Sequence, residues 1–185
     1  MLHCNDSTMV CIIDMSDEFS TVSAFSDLLS TVTQLGEVLR QQGWTVSCAE
    51  SCTGGGIAYV LTSVAGSSDW FNQSWVTYSN QAKQQRLGVT PSTLNHHGAV
   101  SQQTVEQMVN GVVENSGAEV GVSVSGIAGP GGGTKEKPVG TVWFGFSIGG
   151  QLYSRCCQFD GDRLSVREQA IHFAIDFLYQ RLVAE

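Results

Sequence analysis

The stretch WTVSCAESCTGGGIAYVL, residues 44–61, decides how this chain of 185 residues is read. WTVSCA reads as a strand, and GGGIAYVLTSVAG reads as a short helix ending near Gly66. Glu50 to Thr53 then form the turn at the strand's carboxyl end, the edge at which open α/β sheets bind ligands. Unpaired amides at a helix start attract an anion or a developing oxyanion, and glycines let a ligand approach closely. An acyl-transfer nucleophile, a phosphate cradle and an ordinary turn capped by Ser51 or Thr53 all fit this stretch.

Working outward, Leu28, Val32, Leu35, Val38 and Leu39 keep helical spacing from Leu28 to Gln42, with Gly43 as the stop. WFNQSWVTY predicts a second strand, residues 80–87 a helix, and Pro91 a small helical turn. SQQTVEQMVNGVVENSG predicts a helix capped by Ser101, with Val105, Met108, Val109, Val112 and Val113 on its apolar face. EVGVSVS alternates as a strand does, and the loop GIAGPGGGTKEKP follows it. GTVWFGFSI and QLYSRCCQF predict a hairpin turning at Gly149-Gly150. A last helix spans about 162–182, with Leu164, Ile171, Ala174, Ile175 and Leu178 facing inward. The expected fold is α/β: a mixed β-sheet covered by helices on both faces, in three layers. It forms one domain over residues 28–185. Residues 1–27 are an N-terminal extension in which MVCIIDM fits a short strand. A mobile tail and a start codon placed too early, with Met9 and Met15 as alternatives, both fit the polar, acidic remainder.

The net charge of −8 argues against a nucleic-acid-binding surface, while leaving room for a local pocket for one phosphate. The six cysteines are scattered, no secretory signal precedes them, and reduced thiols in the cytoplasm are expected. Cys156 and Cys157 are expected on opposite faces of one strand. No apolar run approaches the length of a membrane span.

Three stretches besides the opening one have chemical potential. In VTYSNQAKQQRLG, Ser79 or Asn80 caps a helix with Lys83 in its first or second turn. The helix field there lowers a lysine pKa, and a neutral lysine serves as a general base. Tyr78 lies just before the helix. A solvated lysine and a packed tyrosine are the plain alternative. SGIAGPGGGT, residues 125–134, keeps neither the dinucleotide-binding spacing nor a P-loop lysine. Its free amides, with Lys135 and Lys137 nearby, suit a phosphate, a ribose or a tight backbone crossing. FDGDRLSVRE offers Arg163 and Arg167; Arg163 fits either a phosphate or an ion pair with Asp160. Cys48, Cys52, His96 and His97 are a weak zinc set, because Cys48 is placed on the strand and the adjacent histidines point apart.

AESCTGG, VTYSNQAK, HGAVS and SGIAGPGGGTKEKPVGTVW, in that order, resemble the CinA C-terminal domain family. This is the nicotinamide-nucleotide amidohydrolase family, also called the NMN deamidase or PncC family. The likeness covers about residues 30–183 and implies the stand-alone form, without the N-terminal domain of larger CinA proteins. It implies hydrolysis of the carboxamide of nicotinamide mononucleotide to nicotinate mononucleotide and ammonia, without metal or cofactor. It makes Ser51 the nucleophile and Lys83 and Tyr78 its activators, either of them the immediate base. Amides near Thr53, Gly54 and Gly55 are then expected to hold the oxyanion. The loop residues Gly126, Ala128, Gly129, Gly131, Gly132 and Thr134, with Arg163, are expected to bind the substrate. The family is oligomeric, which implies a homo-oligomer. Gly56 stands where a bulky apolar residue is the alternative, and is expected to loosen the turn. Two other functions stay open: an amidohydrolase of another small amide, and a nucleotide-binding or competence-related module without catalysis.

Overall fold

The computed structural model describes residues 10–12 and 21–184, with side chains from Phe25 onward. The remainder of the extension, with Met9, Met15 and the acidic run between them and the first helix, lies outside the described residues. Six strands form one sheet: β1 (Val10–Ile12), β2 (Val46–Glu50), β3 (Phe71–Val76), β4 (Val120–Gly126), β5 (Thr141–Ile148) and β6 (Gln151–Gln158). The helices are α1 (Thr21–Gln42), α2 (Gly56–Leu61), α3 (Asn80–Leu87), α4 (Pro91–His97), α5 (Gln102–Ser116) and α6 (Arg163–Val183). The strand order is β1-β6-β5-β4-β2-β3. β2 runs parallel to β3 and β4, β5 is antiparallel to β4 and β6, and β1 is parallel to β6. The mixed α/β sheet expected from the sequence is the sheet observed.

α1, α2 and α6 pack together on one face, while α5 covers the other and carries α3 and α4 against it. The larger core lies under α1 and α6, where Leu35, Leu39, Ile175 and Leu178 meet Val46, Phe144 and Phe146. Every residue of β2 is buried, as expected for a strand flanked on both sides and covered on both faces. The small residues that alternate along β4 face α5 rather than water. A Cβ at Gly121 would crowd Val109 and Val113, and Ser123 Oγ donates to the Val105 carbonyl at 2.6 Å.

Three expectations need correction. α1 begins at Thr21, seven positions before the apolar stripe that announced it. α2 ends at Leu61 instead of near Gly66, where the Thr62 and Ser63 hydroxyls turn back onto the Ala58 and Tyr59 carbonyls and compete with further helix. Leu164 is 59% exposed, because it sits two positions before buried Val166 and so on the opposite side of α6. Ala174, Ile175 and Leu178 are buried as read, joined by Val166, Ala170 and Leu182.

Candidate active site

Side-chain alternation along β2 sorts the residues of the turn. Val46 and Cys48 belong to the larger core, and Ala49 to a smaller one with Leu87, Met108 and Val112 of α3 and α5. The ladder runs one residue past the strand, with Ser51 N–H donating to the Val124 carbonyl at 3.0 Å. Ser51 therefore falls on the side of Ala49 and α3, and Cys52 falls into the larger core. Burial pushes the Cys52 thiol up to about 12, so little thiolate forms at neutral pH.

α3 delivers the partner of Ser51. Ser79 caps the helix by accepting from Ala82 N–H at 3.0 Å. One turn in, Lys83 is 1% exposed. Its Nζ donates to Ser51 Oγ at 2.9 Å and to the Thr77 carbonyl at 2.8 Å. Burial lowers this amine from 10.5 to about 8. Thr77 is itself fixed, since its N–H donates to the Glu50 carbonyl at 2.9 Å. Serine, lysine and the lysine's acceptor are thus tied to the ends of two adjacent strands.

Glu50 organises the turn. Its buried carboxylate accepts from Thr53 Oγ1 at 2.7 Å, Gly55 N at 3.0 Å, Ile57 N at 3.0 Å and Ala58 N at 2.9 Å. A carboxylate from the preceding strand therefore serves the positive end of α2. Gly54 and Gly55, at φ 61° and 97°, let the chain fold back over it. Gly54 N–H is held by the Ser51 carbonyl, and Gly56 N–H by the Thr53 carbonyl. The Gly54 and Gly55 amides expected for an oxyanion already have acceptors. Among the described residues of this turn, the Cys52 and Thr53 amides donate to no oxygen. Gly56 is not a source of looseness either. A Cβ there would overlap the Ile171 side chain, so the glycine lets α2 sit against α6.

Tyr78 is 58% exposed, and its hydroxyl accepts from Arg163 Nη2 at 2.7 Å; no hydrogen bond joins it to Ser51 or Lys83. Arg163 Nη1 donates to the Gly129 carbonyl at 3.0 Å, and neither Asp160 nor Asp162 forms an ion pair with it. Asp162 caps α6 by accepting from Ser165 N–H at 2.9 Å. Arg167, one turn further along α6, donates from Nη2 to the Thr53 carbonyl at 2.8 Å. A cavity of about 450 Å³ opens here, walled by Ala128, Gly129, Gly161, Arg163, Leu164 and Arg167 among others. Of the loop residues expected at the substrate, Ala128 and Gly129 reach this cavity. Gly126 lies tight against Thr141 and Val142, while Gly131, Gly132 and Thr134 are exposed outside the cavity wall. Thr134 closes a turn with Lys137. Among the described residues, no three His, Cys, Asp or Glu side chains are grouped to hold a metal.

The site is thus a serine in the turn AESCTGG held by a buried lysine. The profile of the CinA C-terminal domain matches residues 29–182. The chain belongs to the CinA C-terminal domain family. Among curated relatives, it is 56% identical over 143 residues to the nicotinamide-nucleotide amidohydrolase PncC of Enterobacter agglomerans, covering 77% of this chain and 87% of that protein. It is 49% identical over 159 residues to the protein of the same name from Escherichia coli K12, covering 85% and 96%. The crystal structure of a CinA superfamily protein from Klebsiella pneumoniae 700603 superposes with a TM-score of 0.82 at 36% identity, covering 85% of this chain and 99% of that one. No helix among the described residues of this CinA-family chain is long and apolar enough to cross a membrane.

Residue patterns assigned no role to Glu50 or Thr77 in this CinA-family site. They offered Arg167 beside Arg163, four positions apart and so on one face of α6, without a role of its own. No signal existed for the Thr77 carbonyl, which acts through backbone that any residue would supply.

Proposed function

We propose that this chain hydrolyses the carboxamide of nicotinamide mononucleotide, giving nicotinate mononucleotide and ammonia. The observation that supports it most is the 2.9 Å contact between Ser51 Oγ and the buried Lys83 amine. The names of the PncC relatives support the substrate. In the neutral amine the contact reverses, with the serine hydroxyl donating to the lysine lone pair while a lysine N–H stays on the Thr77 carbonyl. Ser51 Oγ attacks the carboxamide carbon as its proton passes to Lys83 Nζ. The Cys52 and Thr53 amides, which have no other oxygen acceptor, receive the oxyanion. Lys83 then gives its proton to the departing nitrogen, ammonia leaves, and an ester to Ser51 remains. Water, deprotonated by Lys83, attacks this ester, and Lys83 returns the proton to Ser51 Oγ as the C–O bond breaks and the acid is freed.

Lys83 is the immediate base in this reading, because it alone of the two candidates touches Ser51. Tyr78 instead orients Arg163, which together with the Gly129 end of the loop faces the ribose phosphate. The test is ammonia release from nicotinamide mononucleotide with chelator present. Ser51→Ala should abolish release and Cys52→Ala should retain it. Ligand binding by wild-type protein without any ammonia would reduce the site to a binding module.

A further inference from the structure

The cavity walled by Arg163 and Arg167 presents two guanidinium groups and one carboxylate, that of Asp162. Arg163 is met by a carbonyl and a phenol, and Arg167 by the Thr53 carbonyl. Among the described residues, neither guanidinium pairs with a carboxylate. The nearby Asp162 carboxylate is turned to Ser165, accepting from both its N–H and its hydroxyl. Arg167 Nε is buried and has no acceptor at all. A buried guanidinium donor such as Arg167 Nε is costly without an acceptor, and a phosphate suits the fork geometry of the half-buried Arg167 and the exposed Arg163 beside it. About 450 Å³ is room for a ligand of nucleotide size.

Arg167 also has a second connection that Arg163 lacks. Its guanidinium grips the carbonyl of Thr53, two residues from the nucleophile and inside the turn that presents Ser51. A Cβ on Gly54 would stand 3.4 Å from the same Nη2, in ordinary van der Waals contact, so the guanidinium lies directly against the turn. An anion drawn to Arg167 would fix that group, and through it the turn. Energy from a remote, unreacting phosphate would thereby be used at the reacting carbon.

We propose that Arg167 is a specificity-determining residue that binds the substrate's phosphate and couples it to the Ser51 turn, so that the phosphate raises turnover as well as affinity. This rests on the amidohydrolase reading above. The experiment compares ammonia release from nicotinamide mononucleotide and from nicotinamide riboside, which lacks the phosphate. The riboside is assayed with and without phosphite dianion.

In wild-type protein the mononucleotide should be favoured in kcat as well as KM, and phosphite should stimulate the riboside. Arg167→Ala should lower kcat/KM for the mononucleotide by about a hundredfold more than for the riboside, and remove phosphite stimulation. Equal losses on both substrates would overturn the proposal, leaving Arg167 as a brace for Thr53. An unchanged mononucleotide rate would overturn it too, and a loss in Lys137→Ala instead would move the phosphate to the opposite side of the glycine loop. If Arg167→Ala does not fold, Arg167→Lys decides: the mononucleotide preference should fall by about tenfold, and an unchanged preference refutes the idea. Wild-type protein inert toward both substrates would instead refute the amidohydrolase reading, and this one with it.

Discussion

Lys83 carries the pH dependence expected of the proposed reaction. Its amine is lowered to about 8 by burial, and Ser51 can pass a proton only to the neutral form. For nicotinamide mononucleotide, kcat/KM should therefore rise with pH through an apparent pKa of about 8 and level off above it. Lys83→Arg, which stays charged, should be inactive throughout. A wild-type rate independent of pH from 6 to 9, as for a group titrating outside that range, would remove Lys83 from the role of base. The lysine was legible in the sequence as a charge out of place at a helix start, with the helix field and partial burial as the expected causes. Burial is the larger cause in the structure, and no local pattern announces it, because the atoms that bury Nζ come from other strands.

Between elements, close approach is licensed by glycines whose role reverses their local propensity. Gly111 lies in the middle of α5, where alanine would favour the helix by about 1 kcal/mol. A Cβ there would collide with the Leu87 backbone carbonyl at the end of α3, which cannot swing away as a side chain tip can. The collision should outweigh the propensity. Gly111→Ala should destabilise the protein by about 1–3 kcal/mol, read as a lower midpoint in urea, and should slow turnover by shifting the helix that carries Lys83. A raised midpoint would show that α3 does not depend on this contact. Gly56 teaches the same lesson: read along the chain it loosens a turn, and in the fold it is the space that Ile171 occupies.

Across the molecule, the buried amine also couples stability to pH. Its folded pKa of about 8 lies below the ordinary 10.5, so between these values the unfolded chain holds the proton and the folded one does not. Stability should then rise with pH over this window, by about 3 kcal/mol from this group. Below pH 8 the folded protein carries the full cost of a charged, buried lysine. Lys83→Met, inactive by the proposed mechanism, should lack this slope. The gap between variant and wild type should shift in favour of wild type as pH climbs from 8 toward 10.5. Parallel stability profiles would mean that Lys83 titrates alike in both states.

Short-range physics accounts for what was readable along the chain. Capping serines at 79 and 101, stopping glycines at 43 and 117, strand alternation over 119–125 and the Gly149-Gly150 turn each act within a few residues. Together they specify the element order, and with it the mixed sheet. The site obeys longer distances. Ser51 and Lys83 are 32 positions apart, and Arg167 and Thr53 are 114 apart. These groups meet because β2 lies between β3 and β4 and α6 returns across α2, a placement set by burial of both sheet faces. The α2 amides stand between these scales. Glu50 meets donors three to eight residues ahead of it, but only because Gly54 and Gly55 fold the chain back over its buried carboxylate, and among the described residues the Cys52 and Thr53 amides are left donating to no oxygen.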